Sequence, residues 1–209
     1  MSTETKPELE NAGVFDVATS NEVKATGRAK TSVWKYILAG LAATIGVVAA
    51  VIAIQPDDFR VARSATMPAP PAVIFDNVNN FHNWEAWSPW AKLDPAAKSV
   101  FDGPTSGEGA YFSWDGNSEV GAGSMKIVES RPHELIRIQL DFVRPFAGTN
   151  KVAFTFEPKG DGTVVTWNMA GKKNFMAKAI GFVMDCEEMV GGQLDQGLAN
   201  MKSIVEKSP

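Results

Sequence analysis

The sequence predicts an α+β domain in which a curved antiparallel sheet wraps around a long C-terminal helix, preceded by one transmembrane helix. Three observations carry this expectation: an unbroken apolar run near the N-terminus, a series of alternating apolar and polar segments separated by turn residues, and a C-terminal apolar stripe of helical period.

The apolar run is YILAGLAATIGVVAAVIAI, Tyr36 to Ile54, 19 residues without a charge. As a helix it is about 28 Å long, close to the roughly 30 Å hydrocarbon core of a bilayer. Residues 34–55 are therefore expected to form a membrane helix, with Trp34 and Tyr36 at one interface, where amphipathic rings are favoured. A cleaved signal peptide ending at Val51-Ile52-Ala53 is the rival reading. About 35 residues precede the run, however, and it exceeds the roughly 7–15 residues of a signal core, which favours an uncleaved anchor. Lys24, Arg28, Lys30 and Lys35 lie before the span; Asp57, Asp58, Arg60 and Arg63 follow it. By the positive-inside rule the N-terminus is cytoplasmic and the main domain extracytoplasmic, in the periplasm. Residues 1–33 lack apolar periodicity and read as a disordered tail.

The domain is expected over residues 57–207, a comfortable size for one core. FRVARSATM (59–67) reads as a strand, with Phe59, Val61 and Ala65 alternating with Arg60 and Arg63. Pro68, Pro70 and Pro71 stop it and open a helix over 70–80, since proline suits the first helical turn. A second helical stretch, 81–95, ends at Pro95. Strands are then expected over 98–101, 109–116, 121–130, 134–143, 150–158 and 163–171. Ile136, Ile138, Leu140 and Phe142 share one face of the fourth of these; Val152, Phe154 and Phe156 point inward on the fifth, and Val165, Trp167 and Met169 on the sixth. Asp115-Gly116-Asn117, Arg131-Pro132-His133 and Gly160-Asp161-Gly162 supply the turns. One-sided alternation in successive hairpins means a sheet with one covered face. The cover is a short helix, 174–184, and then a longer one with Val190, Leu194, Leu198, Met201 and Val205 along one stripe. Asp185 and Glu188 fit its N-terminal cap, and Gly191-Gly192 imply close packing against the sheet.

A net charge of −4 gives no basic face for nucleic acid. One cysteine, Cys186, excludes an intramolecular disulfide, and two histidines, His82 and His133, leave little for a metal site; neither metal nor cofactor is expected.

The chain resembles the SRPBCC superfamily, which spans START-like, polyketide cyclase/dehydrase and lipid-transport proteins, in particular bacterial members with an N-terminal membrane helix. The resemblance rests on residues 56–95, with the W-x-x-W-S-P-W element at Trp84, Trp87 and Trp90, on residues 101–130, and on the closing helix 191–206. It implies a helix-grip fold with an apolar cavity between sheet and C-terminal helix. It implies no particular reaction, because one fold hosts many functions.

Phe112, Trp114, Ile127, Phe142, Phe154, Phe156, Trp167, Met169 and Met189 are the inward apolar residues expected to line that cavity. Trp84, Trp87 and Trp90 would cap its mouth or touch the membrane interface. No catalytic constellation is visible: His133 sits in a turn, His82 lies between aromatics, Asp115 and Glu108 belong to turns, and Glu129 and Asp141 fall outward. Three functions remain open from the sequence. The first is a membrane-tethered module binding a lipid or another hydrophobic small molecule, the second a cyclase- or dehydratase-like enzyme, and the third a protein-interaction module of the cell envelope.

Overall fold

The computed structural model describes residues 30–183 and 186–207. The expected tail lies outside the described residues up to position 29, as does Asp185 of the expected cap. The side chain of Cys186 is outside them too.

Helix α1 (Lys30–Ala53) contains a segment, Val33–Ala53, long and apolar enough to cross a membrane. The chain divides into two compact units, one ending at Ile45 and one beginning at Gly46, so the boundary falls inside α1. The second unit begins with the last turns of α1 and continues directly into strand β1 (Asp58–Met67). Helix α2 (Pro71–Asn79) starts on its proline, as the fixed φ of that residue favours. Two single turns, Phe81–Asn83 and Trp90–Lys92, flank the short helix α3 (Trp84–Trp87). Then come β2 (Lys98–Asp102), β3 (Tyr111–Asp115), β4 (Ala122–Arg131), β5 (Leu135–Arg144), β6 (Gly148–Lys159) and β7 (Gly162–Lys172). Helices α4 (Phe175–Val183) and α5 (Cys186–Val205) close the chain.

The seven strands form one antiparallel sheet in the order β1-β7-β6-β5-β4-β3-β2. This is the α+β helix-grip arrangement, with α5 packed on the inner face chiefly against β1. Because side chains alternate along a strand, the register assigns that face: Val61, Arg63, Ala65 and Met67 of β1 stand opposite Met169, Trp167, Val165 and Thr163 of β7. Val152, Phe154 and Phe156 of β6 follow, then Ile136, Ile138, Leu140 and Phe142 of β5, Met125 and Ile127 of β4, and Phe112 and Trp114 of β3.

Two ends of the sheet can be distinguished. Asp58 pairs with Lys172 and Phe142 with Gly148, so these positions share the end where α1 joins β1. Met67 pairs with Thr163 and Lys159 with Gly162, at the far end.

The far half of the inner face is sealed by the tryptophan element. Trp84 and Trp87 are buried, and their rings meet Trp167 and Phe154 edge-on at centroid distances of 5.5–6.2 Å. Trp90 packs edge-on against Trp167 at 5.9 Å. The expectation that these residues cap a mouth or touch the membrane is corrected: Trp84 and Trp87 are core, and Trp90 is partly buried against it. Their polar atoms explain why burial is tolerated. Trp84 Nε1 donates to the Val78 carbonyl (2.9 Å), Trp87 Nε1 to that of Asn77 (3.1 Å), and Asn200 Nδ2 of α5 to the Trp87 carbonyl (3.0 Å). On the other side α5 lies so close that a Cβ at Gly197 would stand 2.7 Å from Trp167 Cζ3 and 3.3 Å from Pro89 Cδ.

Helix α4 is fastened by its single charged residue. Lys178 is buried, donates to the carbonyl of Ala53 (3.1 Å) and pairs with Asp57. It thereby caps the C-terminus of α1, where carbonyls lack partners and the helix dipole favours a cation. The hydrogen bond from Lys178, and then its charge, hold the Asp57 carboxyl below its ordinary pKa.

Gly197→Val is expected to lower stability by about 1–3 kcal/mol, because Trp167 has nowhere to retreat. Gly192→Ala, with open space at its Cβ, gains up to about 1 kcal/mol of helix propensity. Denaturant titration of the two variants against the parent checks both signs. A second expectation concerns pH. Since folding depresses the Asp57 pKa, its contribution is complete at neutral pH and is lost as pH falls through the folded-state value, below about pH 4. Amide exchange of α4, corrected for intrinsic rates, should accelerate there, and Asp57→Asn should show the faster exchange already at neutral pH.

Candidate functional site

The inner face is not evenly covered. Exposure is 0–3% at Ile127, Ile136, Ile138, Phe154, Phe156, Val165 and Trp167, and 6–9% at Leu140, Met169 and Met125. At the end next to α1 and along the β2–β3 edge, Phe59, Phe112, Trp114 and Phe142 are only partly buried. Helix α5 packs chiefly on β1, at the opposite edge of the sheet from β2 and β3.

Phe112, Trp114 and Phe142 form a row with Phe101. Phe101 and Phe112 lie 5.0 Å apart, Phe112 and Trp114 stack at 5.9 Å, and Trp114 meets Phe142 edge-on at 6.0 Å. Small residues make room for the row. Trp114 lies across Gly123, where a Cβ would come within 2.7 Å of its ring, and its Nε1 donates to the Val120 carbonyl at 3.0 Å. Phe59 lies across Gly171 in the same manner, with 2.8 Å to the position a Cβ would take. The row ends at a surface hollow of about 260 Å³, lined by Phe81, His82, Phe101, Asp102, Thr105 and Tyr111 among others. His82 stacks on Phe101 at 3.9 Å.

Of the nine residues expected to line a cavity, Phe112, Trp114 and Phe142 belong to this row. Ile127, Phe154, Phe156, Trp167 and Met169 are buried in the core, Phe154 and Trp167 against the tryptophan element and Phe156 against Phe75 of α2. Met189 is 52% exposed near the start of α5, outside the core, because α5 turns its Val190–Leu194–Leu198 stripe to the sheet and not its first turn. The Trp167 indole N–H is buried without a protein acceptor, which costs about 1–3 kcal/mol when such a donor has no partner at all.

Arg63 is a second correction. Expected to point outward, it shares the parity of Phe59, Val61 and Ala65 and stands on the inner face opposite Trp167. Its guanidinium fills the space that a Cβ at Gly191 would need, and Nε pairs with Asp195 of α5 at 3.1 Å. This is the close packing that Gly191 implies; Gly192 has open space instead. Strict counting by two along β1 identifies Arg63 as an inward cation. The single lysine within FMAKAIGFV is likewise the sequence signal for Lys178.

The remaining polar candidates lie on the outside. His133, at φ 63°, packs edge-on against Phe75 in an exposed turn. Asp115 pairs with Arg144, Glu129 with Arg131 and Arg137, and Asp141 accepts from Thr149 Oγ1 (2.5 Å) and Gln139 Nε2 (2.7 Å). Among the described residues no three His, Cys, Asp or Glu side chains come together as a metal site.

Comparison with known proteins agrees with this architecture. A structure from Mesorhizobium loti is similar at TM-score 0.54 with 14% identity, covering 72% of this chain and 99% of the other. One from Chromobacterium violaceum gives 0.52 at 16% identity, covering 74% and 100%. The Aha1 dimer from Colwellia psychrerythraea gives 0.52 at 14% identity, covering 71% and 97%. At such identities the likeness concerns the fold. No curated protein matches the sequence. The family model described as polyketide cyclase / dehydrase and lipid transport, by contrast, matches residues 58–206, from the first residue of β1 to just past the end of α5. The chain belongs to that family, and its helix-grip domain is of the SRPBCC type.

Proposed function

We propose that this protein is a membrane-tethered binding module that accepts a lipid or another hydrophobic small molecule on the partly covered aromatic row of its inner face. The observation that carries the reading is the graded cover of that face: sealed at the far half, and open along Phe112, Trp114 and Phe142 near the end that joins α1. Apolar ligand sites combine aromatic walls with few polar groups, and the row has this character. The lipid-transport branch of the family name adds support.

In this reading residues 34–55 anchor the chain, residues 57–207 form the binding domain, and residues 1–33 are a cytoplasmic tail with the domain on the periplasmic side. The length and apolarity of Val33–Ala53 support the anchor. The nine inward residues divide in role: Phe112, Trp114 and Phe142 touch the ligand, while Ile127, Phe154, Phe156, Trp167 and Met169 form the rigid floor. Met189 takes no part in either. A second reading, an envelope interaction module, is favoured by the exposed Val100 and Phe101 on edge strand β2.

Photo-crosslinking separates the two. Full-length protein in vesicles is supplied with a photoreactive fatty acid, irradiated and mapped by peptide mass spectrometry. Adducts are expected on the β3 and β5 peptides, and Phe142→Ala should lower their yield about tenfold, as loss of roughly 1.5 kcal/mol of apolar contact implies. Adducts confined to α1, unchanged in Phe142→Ala, would contradict the reading and favour an interaction module.

A further inference from the structure

Helix α4 is built inside out for a helix in water. Its only charged residue, Lys178, is 6% exposed, whereas Phe175, Met176 and Phe182 are 49%, 49% and 53% exposed. Phe175 and Phe182 are seven residues apart and share one face, with Met176 beside them. A surface helix of a soluble domain turns its apolar stripe inward and its charges outward. Lys178 fixes which side faces out, because its ammonium reaches the Ala53 carbonyl and Asp57.

The surroundings continue the pattern. Ile54, the first residue after α1, is 82% exposed and Val51, within its last turn, 41%. Asn174, just before α4, donates to the Ala147 carbonyl (3.5 Å) in the β5–β6 turn, which carries exposed Phe146 and follows exposed Val143 near the end of β5. Lys172 and Lys173 precede α4 and supply positive charge at its start. Apolar side chains thus ring the point where α1 leaves the domain, with lysines at their edge. An exposed apolar helix face beside a membrane anchor, with lysines among the flanking charges, is the chemistry of an interfacial helix.

We infer that α4 is a second membrane contact, lying in the lipid interface with Phe175, Met176 and Phe182 inserted and the domain thereby held with its α1 end against the bilayer. The inference rests on the reading of α1 as the membrane anchor. Its consequence is that the partly covered end of the inner face opens beside the lipid surface, so that a hydrophobic molecule can pass between bilayer and protein with little exposure to water.

The test uses the full-length chain with Cys186→Ser, carrying a fluorescent label at Met176→Cys, at Val47→Cys within α1, or at Asp161→Cys at the far end of the sheet. Each is reconstituted in vesicles of phosphatidylcholine and phosphatidylglycerol containing lipids quenched either just below the head group or near the chain end. Circular dichroism confirms that each variant is folded. Co-flotation with the vesicles and quenching at Val47 report the anchor. The expected result is several-fold stronger quenching at Met176 than at Asp161, greatest with the shallow quencher and reduced by Phe175→Asp with Phe182→Asp. Flotation with Val47 quenched but Met176 no more quenched than Asp161 would overturn the α4 contact and leave the anchor standing. Failure to float would overturn the anchor and the inference with it.

Discussion

The packing of Trp84 and Trp87 between the sheet and α5 is the constraint on which the rest of this domain depends. Two large indoles are buried there with each N–H donating to a carbonyl near the end of α2, and with the Trp87 carbonyl itself taken by Asn200. Gly197 then lets α5 descend onto Trp167. A sheet of this curvature encloses space beneath its helix, and in this chain the aromatic element occupies the far half of it. What is left partly uncovered lies toward the β2–β3 edge and toward the end that receives α1.

That displacement links the proposed binding surface to the membrane. The last turns of α1 belong to the same compact unit as the domain, and Lys178 joins them to α4 through a carbonyl and a carboxylate. If α1 is the anchor and α4 a second lipid contact, then the aromatic row, the exposed face of α4 and the α1 junction act together as one surface turned to lipid.

Much of the fold was legible in the sequence because its signals are local. Period-two alternation located every strand within about two residues, and the helical stripe on α5 picked out Leu194, Leu198 and Met201, all 0–1% exposed. The site was legible only in part, since burial depends on what covers a face. Phe112 and Phe154 carry the same inward parity, yet one belongs to the partly covered row and the other lies under Trp84 and Trp87. No property of either residue reveals that difference. Charge misled at Arg63, where polarity suggested the outer face and strand parity the inner one. Asp195 and the missing side chain of Gly191 are what make the inner placement tolerable, and both come from a helix over 120 residues away. Met189 departs from expectation for a related reason, because an apolar residue before the start of a helical stripe need not share its face.

Native mass spectrometry of the full-length protein, released from the membranes in which it was made, tests most directly whether this domain carries an apolar molecule. A carrier should show a reproducible added mass that extracts into organic solvent as a lipid-class molecule, bound one per chain and depleted in Phe142→Ala. A bare protein mass across repeated preparations, unchanged after incubation with fatty acid, would contradict that function.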